Sequence, residues 1–198
     1  MISSIYKNFF KRMIDIIVAF AALIALSPLI LLSLIIVKLD SKGPIFFYQD
    51  RLGLNGKIFR VLKIRTMTDL KRIPNKEILH GDAEVTAVGA FLRRFKIDEL
   101  PQLINVLKGD MSIVGPRPGL PSQKDEFDCN GIKRLLVRPG LTGLAQINGN
   151  IYLTWPERWK YDRNYVDNVS FLLDAKIILK TVRILLQGEQ KFLKRPYA

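Results

Sequence analysis

Apolar residues along this chain fall into runs of three kinds, each predicting a different element. Residues 16–37 carry no charge. As one helix they extend roughly 33 Å, enough to cross a hydrocarbon core. A cleaved signal peptide fits poorly, because the run is too long and no small-residue cleavage site follows it. Ser27-Pro28 stands at the midpoint, where proline removes a backbone donor and kinks a helix. Lys7, Lys11 and Arg12 precede the run, and Lys38 and Lys42 follow it. Cations at both ends draw both ends to the cytoplasmic side. The choice lies between a kinked span and a broken helix that enters the membrane and returns. The flanks favour the second.

The other runs are shorter. Residues 45–51 and 57–64 read as strands around Gly53-Leu54-Asn55-Gly56, and Asn-Gly is a strong hairpin signal. Val88, Phe91, Leu92 and Phe95 recur at helical spacing, as do Leu100, Leu103, Ile104 and Leu107. Between these two runs sits Ile97-Asp98-Glu99, with Pro101 inside a first turn and Gly109 just past the last apolar residue. Asp98 therefore reads as the N-cap of the second helix, or its neighbour. There the macrodipole and free N–H groups favour an ionised carboxylate. On spacing alone, a plain cap and a nucleophile or metal ligand both stay open.

Thr154 and Glu157 make a capping box ahead of Trp155, Trp159, Tyr161 and Tyr165. These rings suit base stacking, a membrane interface or a core. Residues 171–186 are strongly apolar, with Lys176, Lys180 and Arg183 on one face. That suits a helix on an anionic membrane, or a core helix with a solvated stripe. Residues 68–86 read as a polar surface loop. The predicted fold class is α+β: a mainly helical domain over residues 43–198 with a small β-hairpin, preceded by a re-entrant membrane helix within residues 1–42.

Charge narrows the function. Lys and Arg number 31 against 18 acids, a net charge of +13, which calls for nucleic acid, anionic lipid or a phosphorylated substrate. The basic residues are dispersed and form no helix-turn-helix or RNP-type motif, which argues against nucleic acid. One cysteine, Cys129, excludes an intramolecular disulfide, and one histidine, His80, excludes a multi-histidine metal site. Asp125, Glu126 and Asp128 read as a solvated helix face rather than a metal cluster. Gly140, Gly143 and Gly149 with Arg138 form either an anion cradle or plain turns. The tail, residues 190–198, is basic and expected at lipid head groups.

Longer motifs add to this. DELPQL at 98–103, NVLKGDMS at 105–112 and VGPRP at 114–118 resemble, in order and spacing, the signature of bacterial sugar transferases. These are the monotopic phosphoglycosyl transferases. QDRLGLNGKIFRVLKIRTM at 49–67, and RPG, TGLAQ and NG between 138 and 149, are similar to further family blocks. The resemblance therefore covers nearly the whole chain.

It implies an enzyme at the cytoplasmic face of the bacterial plasma membrane, moving a sugar-1-phosphate from a UDP-sugar to undecaprenyl phosphate. Asp98 would attack the phosphorus nearer the sugar and expel UMP, leaving a covalent aspartyl-phosphosugar. Glu99 would be the assisting base, and Mg2+ bound partly through Asp98 would neutralise the diphosphate. Lys63, Arg93, Arg117 and Arg138 are the candidate phosphate ligands, guanidinium forks matching phosphate geometry. Ser27-Pro28 would be the turn of the re-entrant helix, and Asp15 would pair with Arg12 near an anionic lipid interface. Two positions depart from the family: Glu84, where a basic residue is usual, and Lys96, where serine commonly precedes the Asp-Glu pair. The competing readings are a membrane-tethered nucleic-acid binder and a scaffold for glycan assembly. A scaffold would not need both carboxylates.

Overall fold

The computed structural model describes residues 6–68 and 84–188. His80, most of the polar loop and the basic tail lie outside the described residues. After a π turn at Tyr6–Phe10, helix α1 occupies Lys11–Asp40, 30 residues or about 45 Å. It is long and apolar enough to cross a membrane. The helix is continuous through Ser27 and Pro28. Pro28 cannot donate to the carbonyl of Ile24, and Ser27 Oγ supplies that hydrogen bond instead, at 2.8 Å. One face of α1, including Ile17, Phe20, Ile24, Leu31 and Ile35, is exposed.

The opposite face lies along the rest of the protein. Strands β1 (Phe46–Leu52) and β2 (Ile58–Ile64) form the expected hairpin, paired from Phe46↔Ile64 to Leu52↔Ile58. Asn55 at φ 55° and Gly56 at φ 75° take the left-handed conformations a tight turn requires. Helix α2 (Ala87–Arg94) is followed by a 3-10 turn at Ile97–Gln102, then α3 (Leu103–Lys108) and β3 (Ser112–Val114). Next come α4 (Cys129–Lys133), β4 (Gly140–Thr142), α5 (Trp155–Asp167) and α6 (Phe171–Gln187). Near the start of α1, Ala19 packs with Val61, Leu103, Val106 and Met111. Near its end, Val37 packs with Ile64, Leu92 and Ile97. A third cluster joins Val114, Tyr165, Ile177 and Ile184.

Charged groups lock α1 in place. Arg12 donates to the carbonyls of Val106 at 2.6 Å and Leu107 at 3.0 Å. The Arg12–Asp15 pair expected from the sequence does not form, because the C-terminal carbonyls of α3 offer the arginine an orphaned, negative dipole end. Asp15 instead accepts from Ser112 Oγ at 2.7 Å and the Ile113 amide at 3.0 Å. Asp174 on α6 accepts from Tyr6, Lys11 and Tyr165 at 2.7–2.8 Å.

Strands β3 and β4 pair in parallel, Ser112↔Gly140 and Val114↔Thr142, a contact the sequence pattern does not predict. Glycine makes it possible. A Cβ on Gly140 would lie 2.1 Å from the Gly115 nitrogen, and one on Gly143 2.1 Å from the Gly115 oxygen. Gly140 N–H is already spent on the Pro116 carbonyl at 2.9 Å. At Gly140 and Gly143 the block therefore serves close backbone packing rather than anion binding. Trp159 and Tyr165 are buried, which settles them as core. Asp128 caps α4 by accepting from Asn130 N and Gly131 N at 2.9 and 2.7 Å. On α6, Leu172, Lys176, Leu179, Arg183 and Leu186 form an exposed stripe of leucines and cations.

Candidate active site

Asp98 is the second residue of the 3-10 turn, and the N-cap is Lys96, held at φ 57°. The expected capping role of Asp98 is thus displaced by two residues. The lysine's left-handed backbone ends α2 abruptly, and Ile97 turns into the α1–α2 core. The turn buries Asp98 to 6 % exposure. Its Oδ1 has no hydrogen-bond partner among the described residues. Burial and the neighbouring Glu99 charge push its carboxyl up from the usual aspartate range, against the pull of Lys63, Lys96 and Arg93. This runs opposite to the macrodipole expectation, since a six-residue 3-10 turn contributes little dipole and burial outweighs it.

Glu99 has the contrary setting. Lys63 Nζ lies 2.7 Å from Oε1. Arg117 reaches both oxygens, NH2 to Oε1 at 2.7 Å and NH1 to Oε2 at 3.3 Å. Burial by itself would raise this carboxyl, but Arg117, Lys63 and Lys96 hold it well below the usual glutamate range. Adjacent carboxylates in opposed environments take different roles. Glu99 is a saturated anion and a weak base. Asp98 keeps an oxygen without a partner.

The site draws these groups from distant parts of the chain. Lys63 comes from β2, whose backbone is fixed by Asn105 on α3. The Asn105 amide accepts from Leu62 N at 3.2 Å and donates to the Arg60 carbonyl at 2.9 Å. Arg93 arrives from the end of α2, its Nε donating to Thr66 Oγ1 at 2.8 Å. Lys63, Arg93 and Arg117 thus gather with Asp98 and Glu99 as the sequence predicts. Arg138 does not join them. Its Nε donates to the Gly109 carbonyl at 2.8 Å, where Arg12 also lies, 3.4 Å from an added Gly109 Cβ. The C-terminal end of α3 captures that guanidinium.

Two contributors, Arg51 and Arg134, carry no role in the sequence reading, and a third, Lys96, enters it only as a departure from the family. Lys96 adds its charge to both carboxylates. Arg51 and Arg134 grip the backbone that carries Arg117. Arg134 also pairs with Asp162 at 3.0 Å, both side chains buried. A signal for them does exist, since buried arginine demands a partner, but burial is not written in the sequence.

A family model described as bacterial sugar transferase matches residues 6–188. The chain belongs to the bacterial sugar transferase family. It is 44 % identical to the sugar transferase EpsL of Bacillus subtilis, over 90 % of this chain and 88 % of that protein. It is 40 % identical to a UDP-glucose:undecaprenyl-phosphate glucose-1-phosphate transferase of Caulobacter vibrioides, over 92 % and 72 %. It is 41 % identical to a UDP-N-acetylgalactosamine-undecaprenyl-phosphate N-acetylgalactosaminephosphotransferase of Aeromonas hydrophila, over 94 % of this chain and 45 % of that longer protein. This transferase is therefore an enzyme, consistent with a phosphoglycosyl transferase, rather than a scaffold or a nucleic-acid-binding module.

Proposed function

We propose that this enzyme transfers a sugar-1-phosphate from a UDP-sugar to undecaprenyl phosphate by way of a covalent aspartyl-phosphosugar. The observation that carries the reading is the division of labour between Asp98 and Glu99. Glu99 is neutralised by Lys63 and Arg117, while Asp98 Oδ1 is buried without a hydrogen-bond partner among the described residues. An Asp98 oxygen attacks the sugar-proximal phosphorus. The bond from that phosphorus to the bridging oxygen breaks, and UMP leaves with the electron pair. A phosphate oxygen of undecaprenyl phosphate then attacks the same phosphorus, forming the new diphosphate and returning Asp98 as a carboxylate. Neither displacement needs a strong base. Glu99 accordingly acts by holding Lys63 and Arg117 toward the phosphates, with Arg93 completing the positive wall.

Magnesium fits this donor set only as an ion shared with substrate. Among the described residues no group of three acids, histidines or cysteines is placed to hold a metal. Asp98 would hold the ion together with substrate phosphates and water. Bound there, it would supply neutralisation of the diphosphate charge.

The same reading puts the enzyme on the cytoplasmic face of the inner membrane with both ends of α1 on that side, although the break expected at Ser27-Pro28 is absent and the helix is continuous there. Both ends of α1 touch the same polar domain, Arg12 at α3 and the Ser41 carbonyl at Arg65 NH2, 2.7 Å away. The leucine-and-cation stripe of α6 suits anionic lipid at that face.

The test is UMP release from a panel of UDP-sugars with undecaprenyl phosphate, joined to intact-mass measurement with UDP-sugar alone. Wild type should gain a phosphosugar adduct, and Asp98→Asn should gain none while remaining folded. Appreciable turnover by Asp98→Asn would rule out the covalent route.

A further inference from the structure

Residues 116–119, Pro-Arg-Pro-Gly, carry Arg117 to Glu99. Pro116 and Pro118 have no N–H, so the segment cannot pair as a strand, and its carbonyls need donors from elsewhere. Each carbonyl has one. Pro116 O accepts from Gly140 N at 2.9 Å, and Gly119 O from Leu52 N at 2.9 Å. Between them, Pro118 O accepts from Arg51 NH1 at 3.2 Å, and Arg117 O accepts from Arg134 NH2.

Both arginines are themselves anchored. Arg51 NH2 donates to Gln49 Oε1 at 2.6 Å, and Arg134 Nε meets Asp162 Oδ2 at 3.0 Å. Arg134 is 5 % exposed. Placing two guanidinium groups beside a third is electrostatically unfavourable, and burial together with the Arg117 charge lowers Arg51 from the usual arginine range. A neutral donor would hold these carbonyls without that opposition. The arrangement suits a segment meant to meet a multiply charged anion.

We propose that Arg51 and Arg134 are positioning residues that fix the Arg117 guanidinium before substrate arrives, by gripping the carbonyls of Arg117 and Pro118. The proposal rests on the phosphate-binding role of Arg117 given above. A guanidinium set in advance stabilises charge developing on a phosphoryl group without reorganising at the moment of reaction. Released from its grip, the Pro-Arg-Pro segment keeps its composition and charge but loses its aim, and small misplacements at a reacting centre cost rate steeply.

The test is a double-mutant cycle with the full chain in lipid, read by steady-state UMP release. Arg51→Lys keeps the charge and loses the fork, and should lower kcat about tenfold. In an Arg117→Lys background the same change should cost less than about twofold, because its effect runs through Arg117. A full tenfold loss in both backgrounds would overturn the proposal. Arg134→Lys should behave as Arg51→Lys does. Should loss of the Asp162 pair unfold that variant, the Arg51 cycle decides alone.

A second readout needs no substrate. Phenylglyoxal modification of Arg117, followed by peptide mass spectrometry, should be several-fold faster in Arg51→Lys than in wild type, and an equal rate would sink the proposal. If wild type released no UMP while Arg51→Lys still loosened Arg117, the transferase reading would fail and the grip would stand.

Discussion

Replacing Arg117 and Arg138 by lysine, one at a time, separates the site from its surroundings at constant net charge. Arg117 holds Glu99 through a fork, 2.7 and 3.3 Å, and lysine keeps one contact at most. The Arg117 side chain is 44 % exposed, so its pairing with Glu99 contributes only about 0.5–1 kcal/mol to stability. Against a substrate phosphate the lost hydrogen bond is worth more, about 2 kcal/mol. That corresponds to roughly a 30-fold fall in kcat/KM. Arg138→Lys loses the bond to Gly109 O, about 1 kcal/mol of stability, and leaves the rate of folded enzyme within about threefold. The assay is UMP release per folded enzyme, with the folded fraction measured by thermal unfolding in the same lipid. Equal losses for the two variants would show that Arg138 belongs to the phosphate site and that its place at α3 has been misread.

Three further outcomes follow from the fold. Gly140→Ala should abolish stable expression, because its Cβ would meet the Gly115 nitrogen at 2.1 Å and the Thr142 oxygen at 2.5 Å; a normally melting variant would mean the β3–β4 contact is loose. With Cys129 replaced, cysteines near Lys7 and near Lys42 should react with an impermeant thiol reagent from the cytoplasmic side only, and periplasmic labelling of either would exclude the re-entrant reading. Burial raises Asp162 to about 6, above its unfolded value of about 3.9. The folded protein then binds that proton more tightly, and this contribution to stability is lost as pH rises from about 4 to 6. Relative to Asp162→Asn, wild type should lose about 3 kcal/mol across that window. A constant gap in melting temperature from pH 4 to 7 would contradict it.

Periodicity and turn chemistry made the local elements legible: the hairpin around Asn55-Gly56, the capping box at Thr154, and the apolar run that became α1. Motif order picked out Asp98, Glu99, Lys63, Arg93 and Arg117, and the structure brings these side chains together. What stayed hidden depends on contact at a distance. Strands β3 and β4 have three residues each, too few for any period to register. Arg138, a cation beside glycines, reads as part of an anion site, but the structure turns its Nε to the backbone carbonyl of Gly109. The Asp98 carboxyl went the wrong way because macrodipole reasoning assumed an α-helix, and the left-handed Lys96 made a buried 3-10 turn instead.

The bonds from Tyr6 and Lys11 to Asp174 close loops of 168 and 163 residues, and this has a consequence in time. Synthesis proceeds from the N-terminus at about 5–20 residues per second, so α1 emerges first and its lysine waits roughly 8 to 30 seconds for a counter-ion. Early in that interval the partners of Ala19 and Val37, which lie between Val61 and Met111, are still to be made, and the bilayer is the apolar phase on offer. On the proposed membrane reading, α1 should therefore enter lipid as a bare helix, with the rest of the protein assembling against it afterwards. Asp174 completes this assembly from nearly the far end of the described chain. A ribosome halted before α6 should leave a nascent chain that is bound to membrane and folded in part, with Lys11 still waiting.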